Sequence, residues 1–117
     1  MLEPLFGSAA RERLLLWLLT RPESYPREMA VGLGFSLGTV QGVLAGLEQG
    51  GVVVSFLRGK VRLYRLNPRY PFRRELEALL LRALAFYPVA ERERLFTPRL
   101  RPRRPGKRVQ YVESSQA

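Results

Sequence analysis

Apolar residues recur at helical spacing in four stretches of the chain, and two short runs between them have the composition of β-strands. The spacing predicts helices over Ala9 to Leu19, Pro26 to Leu33, Leu37 to Gln49 and Phe72 to Phe86. Ser8 and Ser36 are suitable N-cap residues, and proline at position 26 suits a first helical turn. The strands VVVSFL and VRLYRLN follow the third helix, with Arg58-Gly59-Lys60 as the turn between them.

The second and third predicted helices are separated only by Gly34-Phe35. Two helices joined by such a short turn form a helix-turn-helix, and a β-hairpin placed directly after it makes a winged helix. We therefore predict a mainly α fold with a small β-hairpin wing, a C-terminal helix and a basic tail. The expected domain covers residues 1–88, with a dimerisation helix at about 71–87. Residues 89–117 are expected to form a basic, largely extended or disordered tail, in which residues 89–97 are a candidate for a further short helix.

Alternation along the two strands predicts which side chains face the helices. The inward set is expected to be Val52, Val54, Phe56, Tyr64 and Leu66.

Net charge is concentrated in two parts of the chain. The 117 residues carry a formal charge of +10, and residues 50–74 contain seven Lys or Arg and no acid. Residues 97–117 contain six more basic residues and one acid. A polyanion is the natural partner of such a distribution. Phosphate contacts are expected from two groups: Arg58, Lys60 and Arg62 at the wing tip, with no acid nearby, and Arg101, Arg103, Arg104, Lys107 and Arg108 in the tail.

The residue types exclude several kinds of chemistry. The chain has no Cys and no His, so disulfides, thiolate metal sites and imidazole catalysis are excluded. No glycine-rich loop follows a strand to cradle a nucleotide. We therefore expect no enzyme activity, cofactor or metal. No apolar run approaches the roughly 18 residues of a membrane span, and the N-terminus lacks a basic signal region, so a cytoplasmic location is expected.

Several motifs of this chain resemble one family. The segments LFGSAARERLLLWLL, SLGTVQ, LEQGG and YRLNP are similar to those of winged helix-turn-helix regulators of ArsR and MarR type. They are most like small prokaryotic domains that often precede a nucleotidyltransferase domain. The resemblance covers roughly residues 4–84. It implies a DNA-binding transcriptional regulator that acts as a dimer on double-stranded DNA, although a metal-sensing role would require Cys or His ligands.

The third helix departs from this family on the side expected to face DNA. Regulators of this type commonly carry Arg, Lys or His there, whereas this chain has Gly42, Val43, Ala45 and Gly46. Base and phosphate contacts are therefore assigned to Ser36, Leu37, Thr39 and Gln41 at the start of the helix. Gln41 is suited to bidentate contact with adenine, so the expected sequence preference is modest.

The first predicted helix is apolar almost all round, and a small chain offers little to bury its second side. We therefore expect a homodimer that uses this helix and the fourth, through Leu15, Leu19, Leu76, Leu80 and Leu84.

The resulting hypothesis is a dimeric, sequence-preferring DNA-binding protein, acting as a transcriptional repressor. Two alternatives stay open: a winged-helix protein-interaction module with weak nucleic-acid binding, and an RNA binder that uses the basic tail.

Overall fold

The computed structural model describes residues 1–97, which form six helices and one β-hairpin. The elements are α1 (Glu3–Phe6), α2 (Ala9–Leu19), α3 (Pro26–Leu33), α4 (Leu37–Gln49), β1 (Val53–Arg58), β2 (Val61–Leu66), α5 (Arg73–Leu84) and α6 (Val89–Leu95). The order α2–α3–α4–β1–β2 confirms the predicted winged helix-turn-helix.

Local signals set the boundaries of the helix-turn-helix. The Ser8 hydroxyl accepts a hydrogen bond from Arg11 N, and the Ser36 hydroxyl accepts one from Thr39 N, each at 3.1 Å. Both serines therefore cap free amides at the start of a helix. Gly34 ends α3 with φ of 80°, a conformation that glycine adopts without a Cβ penalty. These residues explain why α2 and α4 begin, and α3 ends, where the sequence predicts.

The central helix is α2, and its own chain covers it on both sides. Leu14, Leu15, Leu16 and Leu18 are all at most 2% exposed. They lie in one core cluster with residues from α3, α4, β1, α5 and α6. The prediction that α2 is buried on more than one side is confirmed, whereas a second subunit is not needed to bury it.

Helix α6 extends the folded domain beyond the predicted boundary at residue 88. Phe96 is 1% exposed and packs edge-on against Tyr87, with ring centroids 5.5 Å apart. Arg21 Nη1 donates to Leu95 O at 2.8 Å, and Arg13 Nη2 lies 2.6 Å from Glu91 Oε2. The short helix considered for residues 89–97 is therefore present as α6, and the two apolar side chains Leu95 and Phe96 anchor it to the core.

Glu12 is a buried carboxylate in the middle of this packing, at 1% exposure. It accepts hydrogen bonds from Leu2 N at 2.8 Å and from the Tyr87 hydroxyl at 2.6 Å. Burial raises the pKa of Tyr87 far above its usual range, and the bond to Glu12 adds to the effect. The pair joins the residues before α2 to those after α5.

The side of β1 that faces the core differs from the predicted one, whereas that of β2 agrees with it. Val53 pairs with Leu66 and Ser55 pairs with Tyr64. Since directly opposed residues share a face, Val53, Tyr64 and Leu66 lie together, and all three contact the core. Val54 and Phe56 lie on the other face, contrary to expectation, because a shift of one residue reverses every side chain in a strand.

Candidate nucleic-acid interface

Helix α4 has one buried side and one open side. Val40 and Leu44 are fully buried, and Leu47 is 6% exposed. The opposite side exposes Thr39 and Gln41, two of the residues predicted to contact DNA. Of the other two, Ser36 is exposed and Leu37 is half-buried. The start of α4 therefore presents hydroxyl and amide groups that are suited to base edges or phosphates.

The rest of the open side is nearly smooth. Gly38 and Gly42 are exposed, and a Cβ atom added at either would meet nothing within 4 Å. No basic residue lies anywhere on α4. A duplex backbone can therefore approach this side closely, but α4 supplies no cation to hold it.

Cations come instead from the wing, defined here as β1, β2 and the turn between them. Arg58, Lys60 and Arg62 are exposed, and Gly59 turns the chain with φ of 64°. These three are the residues predicted at the wing tip.

Arg58 is paired with an acid, contrary to the prediction that none lies nearby. Its guanidinium forms an ion pair with Glu23 in the α2–α3 loop, and a second contact joins Arg58 Nη2 to Glu23 Oε1 at 3.3 Å. The same guanidinium also lies 5.5 Å from the centre of the Phe56 ring. Glu23 is remote from Arg58 in sequence, so counting charges along the chain missed the pair.

Arg62 is connected to a second carboxylate through a hydroxyl. Arg62 Nη1 donates to Ser55 Oγ at 2.9 Å, and Ser55 Oγ donates to Glu48 Oε2 at 2.7 Å. Glu48 belongs to the last turn of α4, so this chain of bonds joins the wing to that helix. Among the described residues, Lys60 therefore differs from both arginines in having no ion pair or side-chain hydrogen bond.

Ser24 holds the wing against the helices. Its backbone forms a two-way bridge with Tyr64, with N···O distances of 3.0 and 2.8 Å. Its buried hydroxyl accepts from Trp17 Nε1 at 2.9 Å and donates to Glu28 Oε1 at 2.6 Å. One residue thus connects β2 to α2 and α3. Sequence reasoning missed it because a serine in a loop carries no periodic signal.

Tyr64 lies on the wing face that meets the core. Burial raises its pKa above the usual range, and the negative charge of Glu48 acts in the same direction. Its hydroxyl is therefore neutral at physiological pH.

The leucines predicted at a dimer interface lie mostly inside the single chain. Leu15, Leu80 and Leu84 are 2%, 0% and 8% exposed, and all three belong to the core cluster. Leu19 and Leu76 are only partly buried. The assignment of the three buried leucines to an interface is corrected, because α2 and α5 pack against each other and bury these side chains in the core of the single chain.

The remaining predicted contacts lie outside the described residues. They are the tail residues Arg101, Arg103, Arg104, Lys107 and Arg108. Within residues 1–97, no group of three or more acidic residues is arranged to hold a metal ion. No helix in the same part of the chain is long and apolar enough to cross a membrane.

This arrangement of elements is shared with solved structures. A double mutant of ZitR from Lactococcus lactis is 18% identical, with a TM-score of 0.52 over 74% of this chain and 66% of that one. Its apo form is 20% identical, with a TM-score of 0.53 over 73% of each chain. The adhesin competence repressor AdcR from Streptococcus pyogenes is 16% identical, with a TM-score of 0.51 over 79% of this chain and 78% of that one.

These similarities show the fold of the chain, a winged helix. This chain spans just under two thirds of the length of the first ZitR structure. No protein-family model and no curated protein sequence matches the chain.

Proposed function

We propose that this protein is a DNA-binding transcriptional regulator that binds duplex DNA as a homodimer and acts as a repressor. The proposal rests on one observation. The exposed side of α4 and the exposed cations of the wing belong to elements that pack on the same core. In a winged helix, this is the arrangement in which a helix lies in the major groove while the wing reaches the adjacent backbone. The shared fold with a protein named as a repressor supports the regulatory assignment.

Affinity and sequence preference come from different parts of the site in this proposal. Lys60, Arg58 and Arg62 neutralise phosphates, and the tail arginines add further contacts of the same kind. Phosphate contacts fix the position of a protein on DNA but carry little sequence information. Reading of bases falls to Thr39 and Gln41, since α4 offers no longer polar side chain at its start. A good bidentate contact discriminates between bases by about 1–3 kcal/mol.

Gln41→Ala tests this division of roles, and Gln49→Ala is its matched control. Both glutamines are exposed on α4, but Gln49 lies at the opposite end of the helix. Wild type and both variants are titrated on a duplex selected from a random library and on its scrambled version. We expect Gln41→Ala to lower the ratio of the two affinities roughly tenfold or more, whereas Gln49→Ala leaves it unchanged. An equal ratio for all three proteins rejects Gln41 as the reading residue.

The glycine-rich side of α4 favours a second candidate, a winged helix that binds another protein. A smooth surface without cations suits close packing against a partner as well as against DNA. The same titration separates the two functions. A protein-interaction module would not enrich any duplex from the random library, so no duplex would be bound more tightly than its scrambled version. Competition by structured RNA at matched salt separates the third candidate, an RNA binder that acts through the basic tail.

A further inference from the structure

Two apolar side chains are exposed where the wing ends. Leu57 and Val61 are 61% and 47% exposed, and neither packs on the core cluster of residues 1–97. On the side of β1 that meets the core, Val53 is 1% exposed, Ser55 is half-buried and Leu57 is exposed. The hairpin therefore extends beyond the core, and its last apolar side chains lie past the part that the core buries. We call Leu57 and Val61 the apolar end of the wing.

The two arginines beside the apolar end extend away from it. Arg58 lies against the Phe56 ring and pairs with Glu23, and Arg62 donates to Ser55. Phe56 and Ser55 both lie farther from the turn than the arginines that contact them. The guanidinium groups therefore point back along the hairpin, and the apolar side chains are left uncovered by them.

The apolar end has the same composition on both sides of the hairpin. Leu57 pairs with Arg62 across the strands on one side. Val61 pairs with Arg58 on the other side. Each side therefore combines one apolar side chain with one cation, and the turn that joins the strands has only two residues.

A groove of duplex DNA is complementary to such a hairpin. The groove is bordered by two phosphate strands, so cations on both sides of the hairpin can contact both strands. The apolar side chains between these cations then meet the base edges. The minor groove is about 6 Å wide, whereas two paired strands lie about 4.8 Å apart before their side chains are counted. The groove therefore has to open to admit the hairpin.

A duplex suits the apolar end better than a lipid surface does. Binding at a membrane surface increases with the apolar area that is buried, and the apolar end offers two side chains. Insertion of such a small apolar group between base steps is sufficient to unstack them and to bend DNA by about 20–90°. Pyrimidine–purine steps unstack most easily.

We propose that Leu57, supported by Val61, enters the minor groove at a pyrimidine–purine step and bends the duplex. The inference rests on the proposed function, because it assigns a binding mode to a wing that contacts DNA. It makes Leu57 a specificity-determining residue that selects deformable DNA. The phosphate contacts of the wing, by contrast, carry little sequence information.

The test uses the full chain and a duplex with a single TA step at its centre and a dye at each end. Energy transfer between the dyes measures the bend, and fluorescence anisotropy measures binding. In a second copy of the duplex, aminopurine replaces the adenine of the TA step, and its fluorescence rises when the base is unstacked. We expect wild-type protein to increase both the energy transfer and the aminopurine fluorescence.

Leu57→Thr removes the apolar group but keeps a residue that favours strands. We expect it to abolish the rise in aminopurine fluorescence and most of the bend. The slope of log affinity against log salt should stay unchanged, because every cation is retained. Leu57→Met keeps an apolar side chain and should retain the bend.

Leu81→Thr is the matched control, because Leu81 is 57% exposed but lies on α5, outside the wing. The control is expected to bend the duplex as wild type does. Urea unfolding checks that all the variants are folded.

Binding and bending are measured separately, so the two proposals can fail separately. A wild type that binds the duplex without bending or unstacking it overturns the inference and keeps the proposed function. A wild type that binds no duplex rejects the proposed function, and the inference with it. Equal bending by folded Leu57→Thr and wild type overturns the role of Leu57. Binding of anionic vesicles that depends on Leu57, without any bend in the duplex, overturns the inference in favour of a lipid surface.

Discussion

Gly32 of α3 lies directly against the indole ring of Trp17 in α2. A Cβ atom at Gly32 would be 2.3 Å from Cη2 and 2.6 Å from Cζ3 of that ring. The Arg21 guanidinium also stacks on the indole, with Cζ 3.3 Å from the ring centre. Trp17 also donates to Ser24, which bridges to β2, so the contact between Gly32 and Trp17 fixes how α2 and α3 support the wing.

Gly32→Ala is expected to destabilise the fold, although alanine is the better helix former. The ring has to move to admit the methyl group, and overpacking of this kind costs about 1–3 kcal/mol. Gly42→Ala is the matched control, since Gly42 is interior to α4 and faces open space. It should gain about 0.5–1 kcal/mol. Urea unfolding measures both, and equal or increased stability of Gly32→Ala would contradict the packing argument.

Glu23→Gln should strengthen binding to duplex DNA of any sequence. The substitution releases Arg58 from its ion pair and removes a negative charge from the side of the wing. If Arg58 then contacts one more phosphate, the slope of log affinity against log salt becomes steeper by about 0.9. Glu93→Gln is the control, because it changes the charge equally on the exposed side of α6. Identical salt slopes for the two variants would show that Glu23 does not restrain Arg58.

Lys60→Ala should weaken non-specific binding more than Arg58→Ala does. Among residues 1–97, no carboxylate pairs with Lys60, whereas Arg58 has to exchange Glu23 for the DNA. The triple variant that changes Arg58, Lys60 and Arg62 to Ala should reduce the salt slope by up to about 0.9 for each lost contact. Titrations at several salt concentrations measure these effects. An unchanged slope in the triple variant would exclude the wing from the interface.

Tyr87→Phe should destabilise the protein at neutral pH. It removes the hydroxyl that donates to the buried Glu12 carboxylate, and a hydrogen bond to a charged group contributes about 1.5–3 kcal/mol. The Leu2 amide still donates to that carboxylate. A variant as stable as wild type in urea unfolding would show that the bond contributes nothing.

The same variant should change the stability at alkaline pH. Folding raises the pKa of Tyr87, so the folded protein keeps this proton after the unfolded chain has lost it. Ionisation then favours the unfolded state, and wild-type stability falls as pH rises above about 10. Tyr87→Phe has no hydroxyl to ionise at this position, so it does not lose stability for this reason. The difference in stability between the two proteins should therefore shrink above that pH. Tyr64 is present in both and cancels from the comparison. These effects are measured between pH 8 and pH 11, roughly two units below and one unit above the ordinary pKa of tyrosine. If the stability difference between wild type and Tyr87→Phe stays constant over this range, the assignment is contradicted.

Sequence alone determined the helix-turn-helix, because its boundaries depend on local chemistry. Ser8 and Ser36 satisfy amides within their own helices, and Gly34 ends α3 through its own backbone conformation. None of these effects needs a distant partner. The hairpin was also predicted, but its register was not, because the run Val52-Val53-Val54 has no alternation that distinguishes one face from the other.

Tertiary structure decided whatever depends on residues that are distant in sequence. The sequence alone indicates an interface role for three leucines, Leu15, Leu80 and Leu84. In the folded chain they pack in one core formed by α2, α5 and α6, to which Phe96 also belongs. Arg58 looks like an unpaired cation until the α2–α3 loop brings Glu23 to it. Periodicity shows that a side chain must be buried, but only the folded chain decides which surface covers it. Composition shows that a charge is present, but only the folded chain decides which partner it meets.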